Sequence, residues 1–361
     1  MRPSSSRSEL FDGVLARGAV VSDEGWLDAL LTVEATLARV EAEAGLIPAA
    51  AADAITRACH RDRFDIAALG AAAAASGNPV IPLVTALRDA VGADAAPSVH
   101  YGATSQDVLD TATMLVARQA LDTILDDLDG AATAAAGLAG THRDTVMVGR
   151  TLLQQAVPVT FGLLAAGWLT GIRAARDGLR RVPLAAQLGG PAGTLAGLGP
   201  DLPERFAAAL GLAAPVLPWH TDRTRIAELA GALGTACGAV AKVARDVTLL
   251  AQTEIGEVAE GRPGGSSSMP HKRNPVAAVS TLAAAAQAPG LVATLLAAMP
   301  QELQRAAGGW HAEWRPLREL LTATGSAAAW LRDCLEHVVV YPDRMRANLP
   351  PGHVDTGHAG E

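Results

Sequence analysis

The sequence predicts an all-α protein organised as an elongated central bundle of long helices, and three observations carry that expectation. Half of its 361 residues are hydrophobic (50%) but only 3% are aromatic, so the apolar mass is alanine, leucine and valine, a composition suited to closely packed helices. Apolar residues recur at spacings of three and four over unusually long stretches. No alternating run is long enough for a sheet, and Val338, Val339 and Val340 form the only β-branched cluster. The length allows roughly two domains at ~150 residues each. The expected division is an N-terminal helical domain over 1–100, a central long-helix domain over 101–338 and a short tail over 339–361.

Taken in order, residues 106–138 carry an apolar stripe through Leu109, Leu115, Ile124, Leu125 and Leu128, and residues 151–181 read as a further long helix with Pro158 near its start. Between 225 and 258 a bundle seam runs through Ile226, Leu229, Leu233, Ala236, Val240, Val243, Val247 and Leu250. Helices of this length, roughly 45 Å at 1.5 Å per residue, imply an elongated bundle. The same seam continues to Glu254 and Glu257, where acids mark either a helix end reaching water or a functional cavity. Glycine and proline concentrate in 76–82, 183–203, 213–219 and 261–275, which are expected to be loops. The second and fourth are long and glycine-rich, as functional loops often are. The last residues, from Asn348 onward, read as a disordered tail.

A formal net charge of −8 and the absence of a long Lys/Arg run argue against nucleic acid or an anionic membrane as partner. Cys59, Cys237 and Cys334 are odd in number and have no zinc or disulfide spacing, which suits a reducing cytoplasm. Arg2 and Arg7 are followed by no apolar segment, so a signal peptide is not expected. Two uncharged stretches, 151–172 and 276–301, are long enough to span a bilayer. Gln154, Gln155 and Pro158 interrupt one, and Gln287, Pro289 and Gly290 the other. Burial among other helices is the expected fate of both.

The most informative segment is 264–275, Gly264-Gly265-Ser266-Ser267-Ser268-Met269-Pro270-His271-Lys272-Arg273-Asn274-Pro275. By composition it is a mobile loop with exposed hydroxyls beside positive charge, either a basic surface loop or an anion-binding turn. No P-loop pattern accompanies it. The segment resembles the Gly-Ser-Ser-x-Met-Pro-x-Lys-x-Asn signature of the fumarase/aspartase superfamily. Two further stretches resemble that superfamily's other regions in the same order. They are His100-Tyr101-Gly102-Ala103-Thr104-Ser105-Gln106-Asp107, with Asp110-Thr111 after it, and Gly149-Arg150-Thr151-Leu152-Leu153-Gln154-Gln155. The resemblance implies a fumarase/aspartase-like fold, a homotetramer with a central helical core, and active sites built where three subunits meet. It also implies the making or breaking of a C–X bond β to a carboxylate, with no cofactor and no metal. By position Ser266 acts on the α proton, and Lys272 and Asn274 stabilise the enolate that forms. Thr104, Ser105, Thr151 and Gln154 match carboxylate-binding positions. His100, Arg150, Ser267, Met269 and His271 lie in the same stretches and join the expected substrate-binding set.

Two departures narrow the resemblance. The second region of most members carries a His, the general acid for the leaving group, where this sequence has Leu152; the acid that holds that His is replaced by Val279. An amine or hydroxide leaving group needs a proton, whose positioned donor is worth ~10²–10⁴ in rate. A carboxylate, of pKa near ~4, leaves without one. The sequence therefore resembles the superfamily's cycloisomerases, in which a carboxylate oxygen of a tricarboxylate closes a lactone on a C=C bond. Ala166-Gly167-Trp168, Pro218-Trp219-His220-Thr221 and Trp310-His311-Ala312-Glu313-Trp314 resemble that branch as well. Adenylosuccinate lyases, which share the first and third regions but keep the His, are the alternative enzyme; a non-catalytic relative is the other. The resemblance also implies a further C-terminal helical domain in full-length members. His60, His142, His337, His353 and His358 have no mutual metal spacing, and Trp310, Trp314 and Trp330 read as core anchors. His311 and Arg315 share a helix face at i, i+4. They are either a surface pair or the extra cations that a tricarboxylate needs.

Overall fold

A computed structural model describes residues 10–19 and 21–351. Helices α1 (Asp12–Leu15), α2 (Asp23–Glu43), α3 (Ala49–Ala58), α4 (Ile66–Ser76) and α5 (Val80–Val91) precede the long α6 (Ser105–Thr141). A hairpin of β1 (Val146–Thr151) and β2 (Gln154–Thr160) leads into α7 (Phe161–Arg180). Then come α8 (Leu202–Leu210), α9 (Thr224–Leu250), β3 (Val258–Glu260), α10 (Val276–Ala285), α11 (Ala288–Ala297), α12 (Gly309–Glu336), β4 (Val338–Val340) and α13 (Pro342–Ala347). Helix α6 packs on α7, α12 and α2, and α9 packs on α7, α10, α11 and α12. Every residue of the expected α9 seam is buried, from Ile226 to Leu250. In α6, Leu109, Ile124 and Leu128 are buried while Leu115 and Leu125 are half-buried.

The helix expected over 151–181 is corrected. Residues 151–160 are the tip and second strand of an antiparallel hairpin, with Val148 opposite Pro158, Arg150 opposite Gln155 and Thr151 opposite Gln154. Pro158 cannot donate within a helix, and Thr160 makes the true start by accepting a hydrogen bond from Leu163 N at 3.1 Å. The expectation of no sheet is corrected too, because β3 and β4 pair as a second small ribbon, Val258 opposite Val340. The uncharged 276–301 stretch is two helices rather than one span, with Pro289 in the first turn of α11. By length and composition alone, 224–250 and 276–297 could cross a membrane, but the apolar seam of α9 is used against the bundle. At the chain's end, Asn348 donates to Ile255 O at 2.9 Å and to Glu257 Oε1 at 2.8 Å. The expected tail is therefore anchored at its first residue, while 352–361, including His353 and His358, lie outside the described residues.

Helix α2 starts at Ser22, whose hydroxyl accepts from Gly25 N at 3.1 Å, and it carries two carboxylates on its core face. Glu34 is 1% exposed and Glu41 0%. Neither oxygen of Glu41 has a hydrogen-bond partner. Burial, reinforced by the Glu34 charge, pushes the Glu41 carboxyl from 4.5 up to about 9. The folded chain at neutral pH then holds a proton that the unfolded chain has released. This group's contribution is fully present below 4.5 and is lost as pH rises towards about 9. Glu41→Gln, which mimics the protonated acid, is expected to raise stability by about 3 kcal/mol at pH 7 and to flatten the decline from pH 5 to 9. Urea unfolding across that range checks it; a variant no more stable than wild type at pH 7 would show that Glu41 is ionised in the fold.

Candidate active site

The first matched stretch lies at the start of α6 and is fixed by buried acids. Thr104 is the N-cap of α6, and its backbone N–H donates to Asp107 Oδ2 at 3.0 Å. The same carboxylate accepts from Gly189 N and Gly190 N, each at 2.9 Å, and lies 2.7 Å from His220 Nε2. Asp107 thereby fastens the glycine-rich loop and the 213–221 loop to the first turn of α6. One turn on, Asp110 takes a bidentate pair from Arg223 at 2.8 and 3.1 Å and an indole N–H from Trp310 at 3.0 Å. Arg223 also forks onto Glu313, at 2.6 Å through Nη2. All three side chains are 3% exposed or less. Burial raises the Glu313 carboxyl although the guanidinium opposes it, and the two carboxylates raise Arg223 despite the larger burial penalty. Gly102 is obligatory here: it sits at φ +64, and a Cβ would lie 2.5 Å from Leu198 Cδ2.

His100, in the same loop, is half-buried at φ +60. Its Nδ1 lies 2.7 Å from Glu34 Oε1. Ser105 opens α6. The first turns of α12 belong to this same end, because Trp310 reaches Asp110 and Glu313 reaches Arg223. His311 is exposed and lies against Trp310 and Trp314, with ring centroids 5.3 and 4.7 Å away. Arg315 pairs with Glu319 at 2.6 Å, its side chain 86% exposed.

The second stretch forms the hairpin tip. Thr151 and Gln154 are the last paired residues, both exposed. Leu152 and Leu153 form the turn at φ +52 and +63, 97% and 68% exposed. Two leucines in the left-handed region are strained, by roughly 1–2 kcal/mol each. Arg150, one pair in from the tip, makes a bidentate pair with the fully buried Glu257 at 2.6 and 2.9 Å. Its guanidinium thus ties the hairpin to the chain, with 18% of the side chain still exposed. Of the two acids of the extended seam, Glu254 is exposed, as expected of a helix end reaching water, and Glu257 is buried in its pair with Arg150.

The signature loop joins β3 to α10 and is held at its neck. Gly264 and Asn274 exchange backbone hydrogen bonds, both 2.9 Å, and Asn274 Nδ2 donates to Gly265 O at 3.0 Å. A Cβ on Gly264 would lie 2.2 Å from Val276. Glu260, the last residue of β3, accepts from Ala277 N and Ala278 N at 3.1 and 2.7 Å, capping the helix that ends the loop. Burial raises its carboxyl against those two bonds. Ser266 is half-buried, and its Oγ accepts from Met269 N at 3.2 Å. Ser267, Met269, His271, Lys272 and Arg273 are exposed. Among the described residues no group of His, Cys, Asp or Glu is arranged to hold a metal ion.

These three stretches do not meet within one chain. Helices α6, α9 and α12 all begin at the Asp110–Arg223–Glu313 cluster. The hairpin lies past the far end of the 37-residue α6, a helix of about 55 Å. The signature loop leaves β3 beside Cys334, which lines the same small cavity as Glu260 and Gly264. Cys334 stands about 35 Å along α12 from Trp310. The structure thus brings His100, Thr104, Ser105, His311 and Arg315 to one end of the bundle. It brings Arg150, Thr151, Gln154 and the 264–275 loop towards the other. Sequence reasoning missed Glu34, Arg223 and Glu260 as positioning groups. The sequence signal was weak, because each partner lies 17 or more positions away.

A family model described as a lyase matches residues 13–290. The chain is 50% identical over 351 residues to a 3-carboxy-cis,cis-muconate cycloisomerase of Bradyrhizobium diazoefficiens, covering 94% of this chain and 78% of that one. It is 48% identical to a nitrosuccinate lyase of Streptomyces davaonensis, covering 92% and 74%. The crystal structure of 3-carboxy-cis,cis-muconate lactonizing enzyme from Pseudomonas putida superposes with a TM-score of 0.88 at 43% identity, covering 94% of this chain and 79% of that one.

Arg223→Met is expected to destabilise the chain by about 3–5 kcal/mol, since it leaves two buried carboxylates without their cation. Arg39→Ala, which removes an exposed partner of Glu43 at 3.7 Å, is expected to change stability by less than about 1 kcal/mol. Denaturant unfolding of the two variants checks the contrast; equal effects would show that the buried cluster carries no special weight.

Proposed function

The chain belongs to the lyase family, and from that premise we propose that it is a cycloisomerase that closes the lactone ring of 3-carboxy-cis,cis-muconate. The observation that carries this reading is the pairing of an intact Ser266–Lys272–Asn274 loop with a leucine at the hairpin tip. Leu152 offers no proton, so the group that joins or departs at the β carbon must be one that needs none. A carboxylate oxygen of the substrate meets that condition.

In the forward direction the carboxylate oxygen bonds to one carbon of the C=C unit, and the electron pair of that double bond moves towards the neighbouring carboxylate. Lys272 and the free N–H of the Asn274 amide stabilise the resulting enolate. The Ser266 hydroxyl then delivers its proton to the α carbon. Every atom of the substrate is retained, as an isomerisation requires. In the reverse direction Ser266 Oγ takes that proton, and the N–H that it accepts from Met269 lowers the cost of the alkoxide. Thr104, Ser105, Thr151, Gln154, Ser267, Met269 and His271 bind the substrate's carboxylates and backbone, with His100 beside them. His311 and Arg315 supply cations for the third carboxylate. Arg150 holds the hairpin through Glu257.

The separation of Thr104 and Ser266 in one chain supports a site furnished by more than one copy, and the family resemblance makes that assembly a homotetramer. The exposed apolar tip, Leu152, Leu153 and Val157, supports burial against another copy. Three cysteines without disulfide bonds support a place in the reducing cytoplasm.

The 48% identity to a nitrosuccinate lyase favours a second reading, because nitrite is also a weak base and leaves without a proton. The substrate decides between them. Purified protein given 3-carboxy-cis,cis-muconate is expected to bleach the conjugated-diene absorbance and to form a lactone by NMR, with little turnover of nitrosuccinate or adenylosuccinate. Ser266→Ala is expected to lower kcat by about 10³-fold or more with unchanged circular dichroism. Turnover of nitrosuccinate alone would assign the elimination instead, and a Ser266→Ala protein with most of its kcat would move the proton transfer to another group.

A further inference from the structure

We propose that Glu34 is a positioning residue for this site: it fixes the His100 imidazole through Nδ1, so that Nε2–H is presented as a hydrogen-bond donor to an anionic substrate at the N-terminus of α6. The assignment rests on the reading of the 100–107 loop as a substrate-binding element.

Three observations support it. His100 is a bulky residue at φ +60, a conformation that persists only where the surroundings over-determine it. The surroundings here are a 2.7 Å hydrogen bond to a carboxylate that is 1% exposed. Second, Glu34 is poorly arranged as a stabilising element. Its Oε2 is buried with no hydrogen-bond partner, and a buried ion pair with unsatisfied lone pairs is weaker than an apolar pair of the same shape. What the pair does achieve is orientation and charge on the imidazole. Third, among the described residues His100 Nε2 makes no hydrogen bond, and 12% of the side chain remains exposed. With Nδ1 turned inward to Glu34, the opposite edge of the ring faces the open side, four residues ahead of Thr104.

The charges around the ring agree with this geometry. Within electrostatic reach of the ring are Glu34 on α2, Arg88 on α5 and Asp107 on α6, while Glu41 on α2 and Cys59 after α3 act on Glu34 from behind. Burial holds Glu41 neutral, with a pKa of about 9, and holds the Cys59 thiol at about 12. The charged neighbours are then Glu34, Asp107 and Arg88, the last donating to Val99 O at 3.3 Å. Burial alone would lower the His100 pKa, but the charge and hydrogen bond of Glu34, with Asp107 behind them, raise it on balance against Arg88. The imidazolium is the form that neutralises this group of four, and it is a donor at both nitrogens.

The test is Glu34→Gln, which keeps an acceptor at Nδ1 and removes the charge. The His100 titration is followed by NMR of the ring, and kcat/KM is measured against pH on whichever candidate substrate the wild type turns over. Wild-type His100 is expected to titrate above the ordinary histidine value, and in Glu34→Gln at least one pH unit lower. The alkaline limb of kcat/KM is expected to move down with it, raising KM about tenfold at pH 8 while kcat at pH 6 changes little. Glu34→Asp, which keeps the charge, is expected to restore the wild-type limb, and Glu41→Gln to leave the whole profile in place. An unmoved His100 titration would overturn the proposal. A shifted titration with an unmoved kcat/KM limb would overturn it as well, by removing His100 from the site. If wild type turns over none of the substrates, the proposed function fails, and the NMR titration still decides whether Glu34 controls the ring.

Discussion

Asp107 and Asp110, buried in the first two turns of α6, are the charges around which one end of this bundle is organised. Taking two carboxylates out of water costs several kcal/mol each unless they are fully partnered. The chain meets that demand with groups drawn from four separate segments. Thr104, Gly189, Gly190 and His220 converge on Asp107, and Arg223 and Trp310 converge on Asp110. Because Arg223 immediately precedes α9 and Trp310 lies at the start of α12, the network sets where all three long helices begin. The glycine-rich loop is tied down by the same bonds. The end of the bundle proposed to bind carboxylates is therefore held in place by its own buried bonds, as preorganised electrostatic stabilisation requires.

The opposite end is built differently. The signature loop is fastened at its neck, by the Gly264–Asn274 pair and by Glu260 on the N-terminus of α10, while its tip from Ser267 to Arg273 is exposed. The hairpin is likewise anchored through Arg150 and Glu257, one pair in from the turn, and its Leu152-Leu153 turn is bare. Few buried contacts hold either tip, which places both among the low-stability parts of the fold. Loops that close on a ligand are drawn from such parts. The length of α6 keeps the two ends apart within one chain, which is why the proposed site draws on another copy.

Much of this was legible in the sequence. The α9 seam is buried residue for residue, since a spacing of three and four over twenty-five positions has no other regular solution. The hairpin was not legible because its turn lacks the usual chemistry. Leu152-Leu153 stands where Asn-Gly would announce two positive φ angles, and an alanine- and leucine-rich segment on the C-terminal side made the whole stretch look helical. Glu257 shows the limit of periodicity: its place in the seam left open whether it reaches water, and its partner Arg150 is 107 positions away with no local pattern connecting them. The signature loop was read from its motif; that it lies towards the opposite end of the bundle from Thr104 follows only from the long helices between them.

The central claim, that one active site draws on more than one chain, is tested most directly by subunit complementation. Ser266→Ala and the double variant Thr104→Val/Ser105→Ala are purified separately, assayed alone, then unfolded together, refolded and assayed as a mixture. A shared site gives two nearly inactive parents and a mixture that regains a substantial fraction of wild-type turnover, because some assembled sites combine an intact first region from one chain with an intact Ser266 loop from another. A mixture that stays at the parents' background while forming mixed oligomers would place both regions in the same chain and contradict the account.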